Sequence, residues 1–334
     1  MARTKPTGQA PRLAPLSFPA VRGTARQHGA LAALLLLVLF NALFTARFLT
    51  VTSMRVNLTQ VATITIVAVG MTFVIATGGI DLSVGSLMAI SGAIAPKIFL
   101  SDRFPFDAPV LGVALAIVVP VLAAGLGGSF NGVMVAWFRI QPIIATLVLF
   151  LAGRGIAQVI TGGALVSFRE PSFQYLGMGR PLGIPFQVIL MVVIVAIAAW
   201  VLRSTIFGRY VLATGDNEPA AWLAGVPVRR VKLVVYTVSG LLAGLAGLIS
   251  IAINSSSDAN QDGQLMELDA IAAVAVGGTP LTGGQASIVG TLIGALIIQL
   301  LRYTLLSHGV SDAAARVVTA VAIVLAVLLQ RRER

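Results

Sequence analysis

Long apolar runs dominate the sequence and decide what it can fold into. A helix needs roughly 20 mostly apolar residues to cross a bilayer. Such runs occur near 30–46, 57–77, 82–100, 109–137, 142–162, 185–203, 229–252, 286–305 and 311–330. A tenth, shorter run at 266–277 ends in "VGGTPLTGG" and suits either a tilted span or a half-helix. In lipid every backbone polar group must be satisfied within the chain, which leaves helices or closed barrels. The run lengths select helices. The expected fold is an all-α polytopic membrane protein of about ten transmembrane helices over residues 30–330. It would lie between a disordered basic tail at 1–29 and a short end at 331–334. Charged residues make up only 10% of the chain, against about 25% in a soluble domain.

The charges suggest an orientation. Arg3, Lys5, Arg12, Arg22 and Arg26 fall in the tail, Arg203, Arg209, Arg229, Arg230 and Lys232 in one loop region, and Arg331, Arg332 and Arg334 at the end. Basic residues collect on cytoplasmic segments, so these three regions are expected inside. Ten spans give both termini the same side. The segment around "NSSSDANQDGQLMELD", acidic and without a base, then falls outside; Arg47 and Arg55 fall there too and count against the scheme. The net charge of +11 therefore signals cytoplasmic loops rather than nucleic acid. The basic stretch is too long for a cleavable signal.

Much soluble chemistry is excluded. There is no cysteine, and the two histidines, His28 and His308, lie far apart, so neither a metal site nor a Ser-His-Asp triad is expected. A phosphate-binding loop needs G-x-x-x-x-G-K-[ST]. The lysines are Lys5, Lys97 and Lys232, and none follows a glycine.

Two stretches stand out instead. In "VIATGGIDLSVGSLMAISG" a Gly-Gly pair interrupts an apolar run beside Asp81. Irregular backbone at membrane depth is tolerated only where protein or water covers it, and an intramembrane acid is a functional candidate. Asp81 has two readings: a cap accepting from the N–H of Ser83 or Val84, or a group touching cargo. "GGIDLSVG" and "GGTPLTGG" share GGxxLxxG, which suits either an internal repeat or two similar connectors. Arg154, in "LVLFLAGRGIAQVITGG", is expected to snorkel or to join helices. "SGLLAGLAG" is a close-packing signal.

The second stretch is "TGDNEPAAWLAGVP", polar and punctuated. Asp216 or Asn217 suits an N-cap, Glu218 the first turn, Pro219 the helix start, Gly225 a left-handed C-cap, and Pro227 forbids continuation. About seven helical residues remain, too few to stand alone in water. Trp222 and Leu223 would be exposed on the basic side. Such a helix suits docking to a partner, or lying on the lipid headgroups.

"ATGGIDLSVGS", "GDNEPAAWLAGVPVRRVKLVVYTVSGLLAGLAG" and "LDAIAAVAVGGTPLTGG" together resemble the ribose/xylose/galactose-type permeases of bacterial ABC sugar importers, from about Leu31 to the C-terminus. "RIQPIIATLVLFLAGRGIAQVITGG" and "DANQDGQLMELDAI" look similar to the enteric galactofuranose branch. The resemblance implies a permease that is not itself an enzyme and holds no cofactor, since ATP and Mg would be bound by a partner ATPase subunit. It implies two further partners: a periplasmic sugar-binding protein and a second permease copy or paralogue. The loop 204–228 would hold the coupling helix, with Gly215, Asp216, Asn217, Glu218, Ala220, Ala221, Trp222 and Gly225 meeting the ATPase. Gly78, Gly79, Asp81, Leu82, Ser83, Asn131, Gln141, Arg154, Gly277 and Gly278 would shape the pathway. Asp258, Asn260, Asp262 and Glu267 would lie near the docked binding protein. An ion-coupled secondary transporter using Asp81 or Asp269 as a relay is the alternative.

Overall fold

The computed structural model describes residues 22–101 and 109–321. Most of the expected tail and all of the C-terminal end lie outside them. Twelve α-helices run in order: α1 (Arg22–Phe44), α2 (Val51–Ala76), α3 (Val84–Phe99), α4 (Pro109–Ala136), α5 (Pro142–Thr161), α6 (Pro171–Met178), α7 (Phe186–Ser204), α8 (Ile206–Asp216), α9 (Glu218–Leu223), α10 (Val228–Asn254), α11 (Met266–Val276) and α12 (Ile288–Ser307). A further helix starts at Asp312 and continues to the last described residue, Val321. Two short strands, β1 (Val166–Ser167) and β2 (Ser256–Ser257), pair antiparallel. α1 begins inside the stretch expected to be a disordered tail.

Among the described residues, six helices are long and apolar enough to cross a membrane: α2, α4 from Leu111, α5, α7, α10 and α12. Gly29–Phe44 and α3 are apolar but shorter. α2 is buried on every face from Val61 to Ala76, as expected of a helix apolar all round. It lies against α10, α12, α11 and α7. α10 is the other central helix, packed on α4, α3 and α2. The "SGLLAGLAG" stretch makes this possible. Gly240 faces Gly128 and the Ala124 carbonyl, and Gly247 faces Met88 and Ser91, so the backbones approach where a side chain would hold them apart.

Hydrogen bonds between helices give their directions. Ser239 meets Asp81 and Gly244 meets Ser91, so α10 and α3 run parallel. Thr72 meets Thr291 at 2.8 Å and Asn57 meets Gln299 at 3.4 Å, so α2 and α12 are antiparallel. One end of the bundle carries both Gly-rich breaks, α8 and α9; the other carries β1, β2 and α6.

The run at 266–277 is a half-helix. The eleven residues of α11 rise about 16 Å at 1.5 Å per residue, half of the roughly 30 Å hydrocarbon core. The preceding residues 255–265 contain no helix and fold back against α3, where Gly263 packs on Gly85 and Met88. Arg154 holds them there. Its Nη1 donates to the carbonyls of Ala259 at 2.8 Å and Asp262 at 2.6 Å. Of the two readings of Arg154, the joining one holds, but it joins a helix to an irregular segment.

Candidate functional site

The first break follows α2. The N–H groups of Thr77, Gly78 and Gly79 donate to the carbonyls of Phe73, Ile75 and Val74, and Gly78 has φ 78. This is the left-handed glycine cap that ends many helices. The second break ends α11 in the same way: Gly277, Gly278 and Thr279 donate to Ala273, Ala275 and Val274, with Gly278 at φ 87. The structurally matched glycines are thus Gly78 and Gly278. The shared GGxxLxxG spacing pairs Gly78 with Gly277, one residue out of register. Both stretches end a helix in the same cap, which recurs at Gly225 and Gly309.

The two breaks meet. Gly284 donates its N–H to the Ala76 carbonyl at 3.0 Å, and Gly283 packs on Gly78. The end of α8 closes the joint. A Cβ on Gly215 would overlap the Ala76 carbonyl and lie 2.6 Å from the Gly284 nitrogen, and the Gly283 site is bounded by the Gly215 carbonyl. Three pieces of bare backbone therefore touch where no side chain fits. The glycines that form the joint from the second break are Gly283 and Gly284. Gly277 instead packs on Gly290 of α12. The joint was hidden in the sequence because it brings together residues about 70 and 140 positions apart.

Beside the joint, Asp81 is wholly buried. Its Oδ1 accepts from the Ser83 N–H at 3.0 Å and the Ser83 hydroxyl at 2.6 Å, and its Oδ2 accepts from the Ser239 hydroxyl at 2.8 Å. Asn131 Nδ2 donates to the Ser83 hydroxyl at 2.8 Å. Asp81 therefore ties the entry of α3 to α10, and Ser83 extends the tie to α4. The bond to the Ser83 N–H read from the sequence is present, but Ser83 itself is the N-cap of α3 and no side chain caps that helix; Asp81 braces the turn before it. Leu82 is half-buried next to this network. Gln141 is exposed at the start of α5, outside the network, and Arg154 sits toward the other end of the molecule.

The capped helix is α9. Asn217 is the N-cap, its side chain accepting from the Ala220 N–H at 3.0 Å. Gly225 has φ 84. Glu218 pairs with Lys232 at 2.6 Å, pinning α9 to α10. Trp222 is 68% exposed and Leu223 78%; Ala220 is exposed too, but Ala221 is buried. The expectation that both alanines face a partner is corrected: Ala221 packs inward, near Val226 and Val228 in the same apolar cluster. Asp216 is exposed at the end of α8. α8 itself was not read from the sequence. Its signal was Thr205, whose hydroxyl caps the Gly208 N–H at 3.1 Å.

At the opposite end, Asp258 is half-buried and Asn260 exposed, with Asn260 accepting from Gln158 at 2.7 Å. Asp262 and Glu267, expected near a docked protein, are each 4% exposed. Asp262 accepts from the Asp258 N–H at 2.9 Å, and Glu267 faces Gly85. Asp262 is turned inward by the fold-back of 255–265 and Glu267 by the first turn of α11, so neither offers a surface to a soluble partner.

The family described as the branched-chain amino acid transport system / permease component matches residues 53–328. The chain belongs to this permease family. The permease is the membrane subunit of a transporter, rather than an enzyme, and a multi-pass membrane protein. It is 44% identical to the ribose import permease protein RbsC of Escherichia coli K12 over 92% of this chain and 94% of that protein. It is 42% identical to the galactofuranose transporter permease protein YtfT of the same strain, over 83% and 79%. It is 38% identical to the fructose import permease protein FruF of Bifidobacterium longum, over 79% and 73%. No solved structure matches the chain.

Proposed function

We propose that this permease is one of two membrane subunits of an ATP-binding-cassette importer in a bacterial inner membrane, carrying a monosaccharide, a pentose or a hexose such as galactofuranose. A periplasmic binding protein would deliver the sugar, a second permease copy or a paralogue would complete the membrane part, and an ATPase would supply the work. The relatives named for ribose, galactofuranose and fructose support the cargo class. The observation that carries the mechanism is the joint. α9 presents Ala220, Trp222 and Leu223 outward, and the adjoining α8 ends on both breaks through Gly215.

A partner seated on α9 would thus move the caps of α2 and α11 directly. The partner's contact must differ in free energy between two states, or nothing is transmitted. Gly78, Gly79, Asp81, Leu82 and Ser83 would shape the pathway from the first break, with Gly277 and Gly278 at the second. Asn131 would act through Ser83. Asp258 and Asn260 are the acceptors left accessible for a binding protein.

Ten crossings with both termini cytoplasmic fit this arrangement. Gly29–Phe44, α2, α3, α4, α5, α7, α10, the 255–276 segment, α12 and the helix from Asp312 would each cross once, placing α8 and α9 inside. An ion-coupled transporter would need a carboxylate that releases and regains a proton in turnover. Asp81, held by three donors, suits a structural acceptor better. The test is uptake of labelled sugar by the assembled transporter. Loss on removing the ATPase, with persistence under an uncoupler, is expected; the opposite pattern would overturn the reading.

A further inference from the structure

Glu267 carries a carboxylate that this structure leaves incomplete. The residue is 4% exposed, and its Oε2 has no hydrogen-bond partner among the described residues. A buried acceptor without a donor bears its full desolvation penalty, and buried charges are ordinarily paired. The carboxylate has room only because residue 85 is glycine: a Cβ there would overlap both Oε2 and the Gly263 carbonyl.

Spare donors stand close by, on Arg154. Gly153 packs on Ser86 and Glu267 on Gly85, so α5 and the start of α11 reach the same turn of α3. Of the acids around the Arg154 guanidinium, Glu267 acts on its charge most strongly, ahead of Asp262 and Asp258. The guanidinium nevertheless bonds elsewhere. Its hydrogen bonds leave from Nη1 and go to the carbonyls of Ala259 and Asp262, while a guanidinium has five N–H groups to give. Arg154 thus has two sets of acceptors around it and uses one.

The two sets move with different bodies. Arg154 belongs to α5, which packs on α3. Glu267 is in the first turn of α11, which lies mainly along α12 and α2 and ends at the second break. α11 is therefore a strut between the joint and residues 255–265. That segment is bounded by Ser255 at φ 54 and Leu265 at φ 61. Left-handed conformations in residues other than glycine persist only where the surroundings impose them, and the two Arg154 bonds are part of what imposes them here.

We infer that Arg154 is a latch with two catches. In the state described here it clasps residues 255–265 and holds them against α3. When the joint displaces α11, the guanidinium passes from the two carbonyls to Glu267, and the segment comes away from α3. Both arrangements satisfy the guanidinium, as a bistable element requires. Glu267 is thus a positioning residue for transport, paired in one state and waiting in the other. The drive for the exchange rests on the coupling reading above.

Ser257, wholly buried in β2, reports where the segment is. Ser257→Cys replaces one atom and introduces the only thiol of the chain. The assembled transporter in nanodiscs is treated with a charged thiol reagent, with and without Mg-ATP; uptake of labelled D-ribose is measured in cells. The thiol should react slowly at rest and quickly with Mg-ATP. Adding Glu267→Gln removes the second catch. It should keep the thiol slow in both conditions and lower uptake roughly ten- to a hundredfold, as for loss of one hydrogen bond to a charged group. Glu267→Asp should restore part of both. Adding Arg154→Gln removes the clasp and should make the thiol fast at rest. Arg154→Lys keeps the charge without the fork, should act in the same direction, and stands in if Arg154→Gln does not accumulate. A Glu267→Gln protein that matches the wild type in thiol rate and uptake overturns the latch, as does a thiol that stays slow at rest in the Arg154 variants. Either result with ATPase-dependent uptake leaves the coupling reading intact. The expected pattern among the variants at rest, in a transporter whose uptake is indifferent to the ATPase, keeps the latch and removes the coupling reading.

Discussion

Asp81 separates what a charge does from what an acceptor does. Every group bound to it is a donor: one N–H and two hydroxyls. Asparagine keeps an acceptor for Ser83, and the Ser239 hydroxyl can turn to accept from the new amide. Asp81→Asn should therefore retain most transport. Asp81→Ala strips three donors of their partner and should cost about 1–3 kcal/mol. Thermal midpoints and uptake at matched expression check both; equal damage from Asn and Ala would point to a working charge. The bond to the Ser83 N–H was legible, because an acid two residues before a serine can fold back on its N–H; that Ser83, and not Asp81, would start α3 was not. The Ser239 and Asn131 partners were not, because nothing local marks which helix will pack there. Gly215 was singled out only through the resemblance, as meeting the ATPase; its place inside the joint was not legible. Gly215→Ala should overpack it by about 1–3 kcal/mol. Insertion should be normal and sugar-stimulated ATP hydrolysis sharply reduced.

Among the elements, α9 was the most legible and α8 the least. Caps act on near neighbours in sequence, so Asn217, Pro219, Gly225 and Pro227 could be read one by one. α8 has no such flanking punctuation beyond Thr205, and the charged residues around it read as loop. The two faces of α9 now make different predictions. Ala220→Glu or Leu223→Asp adds charge to the exposed tip and should abolish co-elution with the ATPase while membrane levels hold. Ala221→Glu forces a carboxylate into an apolar cluster and should lower accumulation of the permease itself. Gly225→Val would place a β-branched residue at φ 84, costing roughly 1–2 kcal/mol. Full ATPase association in both Ala220→Glu and Leu223→Asp would reduce α9 to a connector.

For the whole molecule, hydropathy conveyed the all-α membrane class and the approximate limits of the long apolar helices, since lipid leaves the backbone few choices; of about ten expected spans, six are long and apolar enough to cross among the described residues, and most of the run at 311–330 lies outside them. It missed that residues 255–265 turn back into the bundle: a segment with Asp258 and Asp262 reads as solvent-exposed until Arg154 and α3 are there to receive it. The topology is open to direct test, because the chain has no native cysteine. Asn260→Cys should react with an impermeant reagent in intact spheroplasts, and Ala224→Cys, exposed beside α9, should react only after lysis. The opposite pattern would invert the arrangement. The joint at Ala76, Gly215 and Gly284 also bears on timing. Side chains cushion most contacts between helices, because a rotamer can flip within nanoseconds and absorb a small displacement. Here backbone bears on backbone, and no such spring exists. A push on α8 reaches the ends of α2 and α11 with no slack to take up first. Probes placed on α9 and at the second break should therefore report one shared relaxation time during ATP-driven turnover, with no lag between them.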